Sequence, residues 1–398
     1  MKYIFLGFAV PDTVMEQILI SDKNMPVQTH KFGWSFIECL KRKGSDVYVI
    51  SAIPVTNFPH YPSIFCKGSM QEERGVKIKM LPFINLLGIK HVTRFFSCLT
   101  ELCKCALLTN DRVLIVHGVH SPFLFASSIA KFLFGFKIVV ILTDPPSVLS
   151  KFDGLLSRIL KKIDFFAIKF LLRNFDGGVI LSKPLGDDFL SNKPTILIEG
   201  IFSNSNLKFE PALVKKSGST FSFTYAGTLS ESYGVKELIQ AFIDLDLPNV
   251  YLNILGRGDL SHYVESISKS YSCIRYHGFK SGQDLICVYY ETNVFINARP
   301  LDSLFVKYSF PSKIIEYMST GIPVLTTKLP SIPDDYIPHL YFIDSPQVHD
   351  IKKSIFRVLE SSSEELFDKG LKAKEFICKN KSADKASQLI SSFLKSIK

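Results

Sequence analysis

FPSKIIEYMSTGIPVLTT, residues 310–327, reads as a loop, a short helix, a glycine stop and a buried strand. Pro311 stands where a missing N–H costs a helix nothing, Ser312 is a capping residue type, and Gly321 ends the run. A helix start with Lys313 in its first turn is an anion site made of backbone N–H groups and a point charge. Glu316 lies one turn beyond Ser312 and Lys313, so the three face one ligand or one groove. A lysine near a phosphate and a carboxylate near ribose hydroxyls would together hold a nucleoside diphosphate. Spacing alone favours a plainer alternative, a surface Lys–Glu pair on an ordinary α/β helix.

Outward from this segment, strands alternate with helices. FSFTYA (221–226), VYLNIL (250–255), CIRYHGF (273–279) and NVFIN (293–297) lead into it. The N-terminal half repeats the pattern with KYIFLGF (2–8), DVYVIS (46–51), VKIKML (76–81), RVLIVH (112–117), KIVVILTD (137–144), GGVIL (177–181) and TILIEG (195–200). Helical stretches over 91–109, 121–134 and 155–173 separate them. Such alternation predicts α/β architecture with doubly wound parallel sheets. Between the halves, FSNSNLKFEPALVKKSGST (202–220) turns to Ser, Asn, Lys and Pro, the composition of a linker. The expected domains are 1–201 and 221–380, joined by 202–220, with a C-terminal helix at 381–398.

At 398 residues, 46% hydrophobic and 21% charged, the chain suits two globular domains rather than disorder. Its net charge of +10 is uneven: residues 1–200 carry 24 Lys and Arg against 16 Asp and Glu, whereas 201–398 carry 23 against 21. A basic N-terminal half could face nucleic acid or an anionic membrane. No nucleic-acid-binding signature is present, so no nucleic-acid partner is expected. FLFGFKIVVIL (132–142) is too short to cross a membrane and contains Lys137. The eight cysteines form no C-x-x-C pair, and no signal-peptide pattern precedes the first strand. Together these predict a reduced, cytoplasmic protein without a zinc site.

Several features stand at the carboxyl ends of strands, where open α/β sheets place ligands. Ala9 to Thr29 reads as a loop of about twenty residues, long enough to be an acceptor-binding loop or a disordered insertion. His117 and His120 follow RVLIVH, and Asp144 follows the next strand, where TDPP makes a rigid turn. LLSRILKKIDFFAIKFLLR (155–173) mixes apolar residues with Arg158, Lys161, Lys162, Lys169 and Arg173. That composition fits the interface of an anionic membrane, and core packing explains its apolar positions equally well. In the C-terminal half, Gly227 can let backbone N–H groups approach a phosphate. GRG at 256–258 is no dinucleotide fingerprint, because Ser261 stands where the third glycine would be needed; this disfavours a nicotinamide-dependent dehydrogenase.

The 310–327 segment resembles the C-terminal signature of the retaining GT-B glycosyltransferases of family 4 (glycosyl transferases group 1). The likeness is strongest to a subgroup with a Ser-Phe-Pro-Ser-Lys…Glu-Tyr block. TYAGTLSESYGVKELIQAF (224–242), NILGRGD (253–259), NVFINARP (293–300) and ILIEGI (196–201) support the resemblance in the family's order. It implies two Rossmann-like domains facing across a cleft, the first binding acceptor and the second a nucleotide sugar. The last helix would pack back on the first domain. It implies a metal-independent hexosyltransferase, with no cofactor besides the nucleoside-diphosphate sugar donor, acting on a glycan or lipid-linked acceptor in surface polysaccharide synthesis. Such an enzyme would be cytoplasmic and peripheral on the inner face of a membrane.

The resemblance also distributes roles. His117 corresponds to a histidine near the donor sugar and reaction centre. Arg299 and Lys313 would stabilise the leaving diphosphate, while Gly227, Thr228, Arg257, Ser312 and Glu316 would bind the nucleotide. Three positions depart from the family pattern. Thr228 and Tyr233 stand where many members have Arg and Lys, and Tyr308 stands where the first Glu of a Glu-x7-Glu pair is usual. The alternatives are a sugar-nucleotide epimerase of the same fold and an inactive GT-B partner subunit.

Overall fold

The computed structural model describes residues 2–22, 27–108, 112–146, 154–202, 220–301 and 304–397. Two units emerge: residues 1–201 with 383–398, and residues 202–382.

In the first unit, Lys2–Gly7 forms β1, whose Tyr3, Ile4, Phe5 and Leu6 are all buried. Both faces of a central parallel strand are covered, which is why the run has no polar alternation. The chain continues through α1 (Asp12–Ser21), α2 (Val27–Lys41), β2 (Asp46–Ser51), β3 (Phe65–Cys66), β4 (Ser69–Glu73), β5 (Val76–Met80) and β6 (Phe83–Ile84). It then passes through α3 (Ile89–Leu108), β7 (Val113–His117), α4 (Ser121–Phe134), β8 (Lys137–Leu142), α5 (Leu155–Leu172), β9 (Gly177–Ile180), α6 (Lys183–Phe189) and β10 (Thr195–Leu197). The main sheet has the order β10-β9-β8-β7-β1-β2-β5-β4. Only β4 is antiparallel in it. The strand order therefore reverses between β1 and β7, placing Gly7 and His117 side by side at a switch point.

Among the described residues, the stretch from Ala9 to Thr29 is largely helical rather than a loop. α1 occupies Asp12–Ser21 and buries Met15 and Ile18, and α2 begins at Val27. No local side chain caps α1; instead the Asp12 amide donates to Glu73 Oε2 at 3.0 Å, across 61 residues of sequence. A cap supplied by a distant strand leaves no local signal, so the segment resembles coil when read alone. The expectation of a long loop here is therefore overturned.

The second unit contains β11 (Phe221–Ala226), α7 (Val235–Leu245), β12 (Val250–Leu255), α8 (Ser261–Ser270), β13 (Ile274–Tyr276), α9 (Gly282–Tyr290) and β14 (Val294–Asn297). α10 (Leu304–Tyr308), α11 (Lys313–Thr320), β15 (Val324–Thr327), β16 (Tyr341–Ile343), α12 (Val348–Glu360) and α13 (Ser363–Asn380) complete it. Its sheet runs β13-β12-β11-β14-β15-β16, and every pairing is parallel. Residues 203–219, most of the expected linker, lie outside the described residues.

The final helix, α14 (Ala383–Ser396), is part of the first unit. Ile390, Phe393, Leu394 and Ile397 join Trp34, Ile37 and Leu40 in that unit's core. Arg42 pairs with Asp384 at 2.7 Å, and Ser387 donates to the Cys39 carbonyl at 2.5 Å. A Cβ on Gly177 would approach Ile397 Cδ1 to 2.6 Å, so the sheet meets this helix through a bare backbone.

Candidate functional site

All six strands among the described residues of the second unit are parallel, so their carboxyl ends lie on one edge. The order reverses between β11 and β14, making the space beyond these two strands the switch-point position. Gly227 and Thr228 follow β11, Gly256 to Gly258 follow β12, and Ala298 to Pro300 follow β14.

These turns are packed backbone against backbone. The Leu229 amide donates to the Arg257 carbonyl at 3.1 Å, and the Gly227 amide to the Leu255 carbonyl at 3.0 Å. Gly256, at φ +138, has the Gly227 carbonyl where a Cβ would stand, and Gly234, at φ +72, has that of Ala298. Only glycine can occupy either position without displacing a neighbouring strand end. The Gly227 N–H is thus engaged within the protein. Thr228 is exposed, and its amide has no hydrogen-bond partner among the described residues.

Arg299 is 5% exposed, with its guanidinium 4.9 Å from the centre of the Tyr233 ring. Burial lowers its pKa, while Tyr233 and Tyr225 act in the opposite direction. Tyr233, one of the departures from the family pattern, therefore supports a cation at the sheet edge. Arg257 is exposed and lies 4.8 Å over the Phe279 ring.

α11 begins beside this edge. Lys313 Nζ lies 2.8 Å from Glu316 Oε2, with both side chains about one-third exposed (37% and 33%). Glu316 Oε1 accepts from the Tyr289 hydroxyl at 3.1 Å. The lysine and carboxylate are thus a real i,i+3 pair, and the carboxylate keeps acceptor capacity for further donors. Ser312 is positioned at the helix start but in αR geometry, and its side chain makes no capping hydrogen bond. That corrects its expected role as a cap. Gly321 stops the helix at φ +83, as a C-terminal glycine does.

Two tyrosines that sequence reading did not single out organise the group. The Tyr317 hydroxyl accepts from the Ala226 amide at 2.9 Å and donates to the Ala226 carbonyl at 2.8 Å. Its ring stacks on Phe295 with centroids 4.2 Å apart. Burial raises the Tyr317 pKa well above the usual phenol range, so it stays a neutral two-way hydrogen-bonding group. Tyr289, also raised chiefly by burial, sets the rotamer of Glu316. The quoted Glu-Tyr pair was the only sequence signal for Tyr317.

His117 belongs to the first unit. It is 1% exposed, with ring centroids 5.7 Å from Phe5 and 5.8 Å from Phe32, and burial depresses its pKa to about 4. His120 is edge-on to Phe8 and Phe123, and its pKa is also driven down by burial. Asp144 is raised by burial. Lys90 and Arg94, passed over in the sequence, are buried and bonded to loop carbonyls: Lys90 to Val55, and Arg94 to Ile53 at 2.7 Å. They fasten the loop after β2 to α3.

The model of the family "Glycosyl transferases group 1" matches residues 209–375. No curated protein sequence matches the chain. Among solved structures, sucrose-phosphate synthase from Thermosynechococcus elongatus is similar at 13% identity and a TM-score of 0.64, over 100% of this chain and 99% of that one. The lipopolysaccharide outer core galactosyltransferase WaaB is similar at 14% and 0.64, over 100% and 99%. HepE of Anabaena, solved in complex with UDP, is similar at 14% and 0.61, over 100% of both chains. The fold is therefore GT-B, and the group 1 match supports glycosyl transfer from a nucleotide sugar.

Proposed function

We propose that the protein is a retaining glycosyltransferase that moves a hexosyl unit from a nucleoside-diphosphate sugar to a glycan or lipid-linked hydroxyl acceptor in surface polysaccharide synthesis. One observation carries the reading: the turns matched by the group 1 family converge on a single sheet edge beside the start of α11. Bond cleavage at the anomeric carbon puts negative charge on the leaving diphosphate. Arg299, Lys313, the Thr228 amide and the α11 dipole are preorganised cations and N–H groups of the kind that stabilise such charge. Arg257, on an exposed turn of the same edge, is a further phosphate cation. Glu316, held by Tyr289, accepts from the ribose hydroxyls, and Ser312 adds a polar contact at the helix start.

Retention follows if the acceptor hydroxyl attacks from the face the diphosphate leaves and passes its proton to the departing phosphate oxygen. No carboxylate base is then required, which separates this reading from an epimerase. His117 receives no chemical step here, because its ring is enclosed by Phe5 and Phe32. The first unit is assigned to the acceptor, and with protein cations on the diphosphate the reaction needs no metal.

The test is a panel of nucleotide sugars, scored by thermal shift and by release of nucleoside diphosphate. One donor should both stabilise the protein and be turned over, with the rate unchanged by EDTA. Stabilisation without turnover on any acceptor would favour the inactive partner subunit. Interconversion of the donor without diphosphate release would favour the epimerase.

A further inference from the structure

α5 of the first unit leaves most of its apolar surface in solvent. Only Ile168, Leu171 and Leu172 are buried, whereas Leu156, Ile159, Leu160, Ile163, Phe166 and Phe170 are each between 47% and 70% exposed. At 3.6 residues per turn these six fall on one stripe roughly 120° wide. The buried three lie beyond one border of the stripe. Arg158, Lys162, Lys169 and Arg173 lie beyond the other, forming a basic band next to the exposed apolar one. Asp164, the one acid on the helix, turns inward to accept from the Ser121 hydroxyl of α4. α4 and α3 add exposed apolar side chains of their own, including Phe132 and Phe96.

A helix with three such bands has one face for its own core and two for something else. No helix among the described residues is long and apolar enough to cross a membrane, so a spanning role does not account for the stripe. A second copy of the chain is a poor fit: an antiparallel two-fold contact along the stripe would bring each basic band near its own counterpart, and a parallel one would leave both bands without a partner of opposite charge. An interface between water and anionic lipid matches both bands at once, with apolar side chains entering the acyl boundary and cations at the headgroups. The net excess of cations in residues 1–200 has the same sign.

We propose that α5 is a membrane-docking helix that lies in the plane of an anionic bilayer, with Ile163, Phe166 and Phe170 inserted and Lys162, Lys169 and Arg173 at the phosphates. This inference does not depend on the glycosyl-transfer reading.

The test is flotation of the full chain with phosphatidylcholine vesicles, with and without phosphatidylglycerol, at low and high salt. Wild-type protein should float with the anionic vesicles and be at least partly released by salt, because exposed charges are screened over about 8–10 Å. Ile163→Glu with Phe166→Glu should lower partitioning by about tenfold or more, given the apolar area lost from the interface. Lys162→Gln, Lys169→Gln and Arg173→Gln together should abolish the preference for anionic over neutral vesicles. Unchanged melting temperatures would show that both variants fold. Flotation indifferent to phosphatidylglycerol, or unaffected by the two glutamates, overturns the proposal. So does a wild-type dimer in solution that Ile163→Glu with Phe166→Glu converts to monomer, which would give the face to a second copy.

Discussion

The hydroxyl of Tyr317 is bonded to both the amide and the carbonyl of Ala226, at 2.9 and 2.8 Å, and so closes the last rung of β11 with a side chain from α11. β11 pairs with β12 as far as Ala226 but with β14 only at Phe223 and Thr224, so beyond these residues β14 no longer supplies ladder partners on its side. Tyr317 supplies them instead. It thereby fixes the turn at Gly227 relative to the helix that carries Lys313 and Glu316.

Tyr317→Phe leaves a buried N–H and a buried carbonyl without this partner while keeping the ring stack on Phe295. The expected loss of stability is about 2–6 kcal/mol, from two orphaned groups at about 1–3 kcal/mol each. Urea unfolding of the second unit's transition would measure it. Donor affinity should fall in the same variant, since α11 is no longer registered against β11. A variant as stable as wild type would show that the hydroxyl has no positioning role.

Charge at the sheet edge separates turnover from binding. Lys313→Ala and Arg299→Ala should each lower kcat by about 10²–10³ with a smaller effect on KM, because the charge they meet grows in the transition state. Arg299→Lys should recover only part, since an ammonium cannot reproduce a planar, ring-stacked guanidinium. Glu316→Gln and Tyr289→Phe should act mainly on donor affinity. Steady-state kinetics on the donor identified by the panel would decide, and near-wild-type kcat for both alanine variants would sink the phosphate assignment.

Gly256 and Gly44 both have positive φ, but their surroundings differ. Gly44 at φ +70 has nothing within 4 Å of an added Cβ, whereas at Gly256 the Gly227 carbonyl stands in the way. Gly44→Ala should therefore cost about 1 kcal/mol, the strain of the left-handed region alone. Gly256→Ala should cost more than about 3 kcal/mol or fail to yield folded protein, because strain adds to a backbone clash. Paired thermal melts check the contrast. Equal costs would mean that the two turns can separate freely.

Stability should fall with acid through His117. Burial holds its pKa near 4, against 6.5 for a free histidine. Between those values the unfolded chain binds a proton that the native chain refuses, so unfolding becomes easier as pH drops from 6.5 towards 4 and levels off below. At 1.36 kcal/mol per pKa unit the full effect is about 3 kcal/mol. His120 and His91 are lowered by burial too and act in the same direction. Denaturant unfolding across this range should show a shallower slope for His117→Gln than for wild type. Parallel slopes would place the titration elsewhere.

Local sequence was enough to determine the α/β class, the strands that are continuous apolar runs and the helix–glycine–strand order of residues 310–327, but not the short edge strands β4 and β16. Buried parallel strands are continuous apolar runs, and a glycine after a short periodic helix marks its own stop. Lys313 and Glu316 were legible for the same reason: helical spacing alone brings residues i and i+3 together. Where the cause lies far along the chain, only tertiary structure could decide. α1 is capped by Glu73 from a distant strand, Glu316 is oriented by Tyr289, and Arg299 rests on Tyr233. Tyr233 looked like a lost cation in the sequence, and the fold shows a ring supporting a different one. Periodicity could not choose which face of α5 would be covered either, since helix 155–172 is amphipathic in both readings. That depended on how many neighbours the fold supplied, and they bury only three of its apolar side chains.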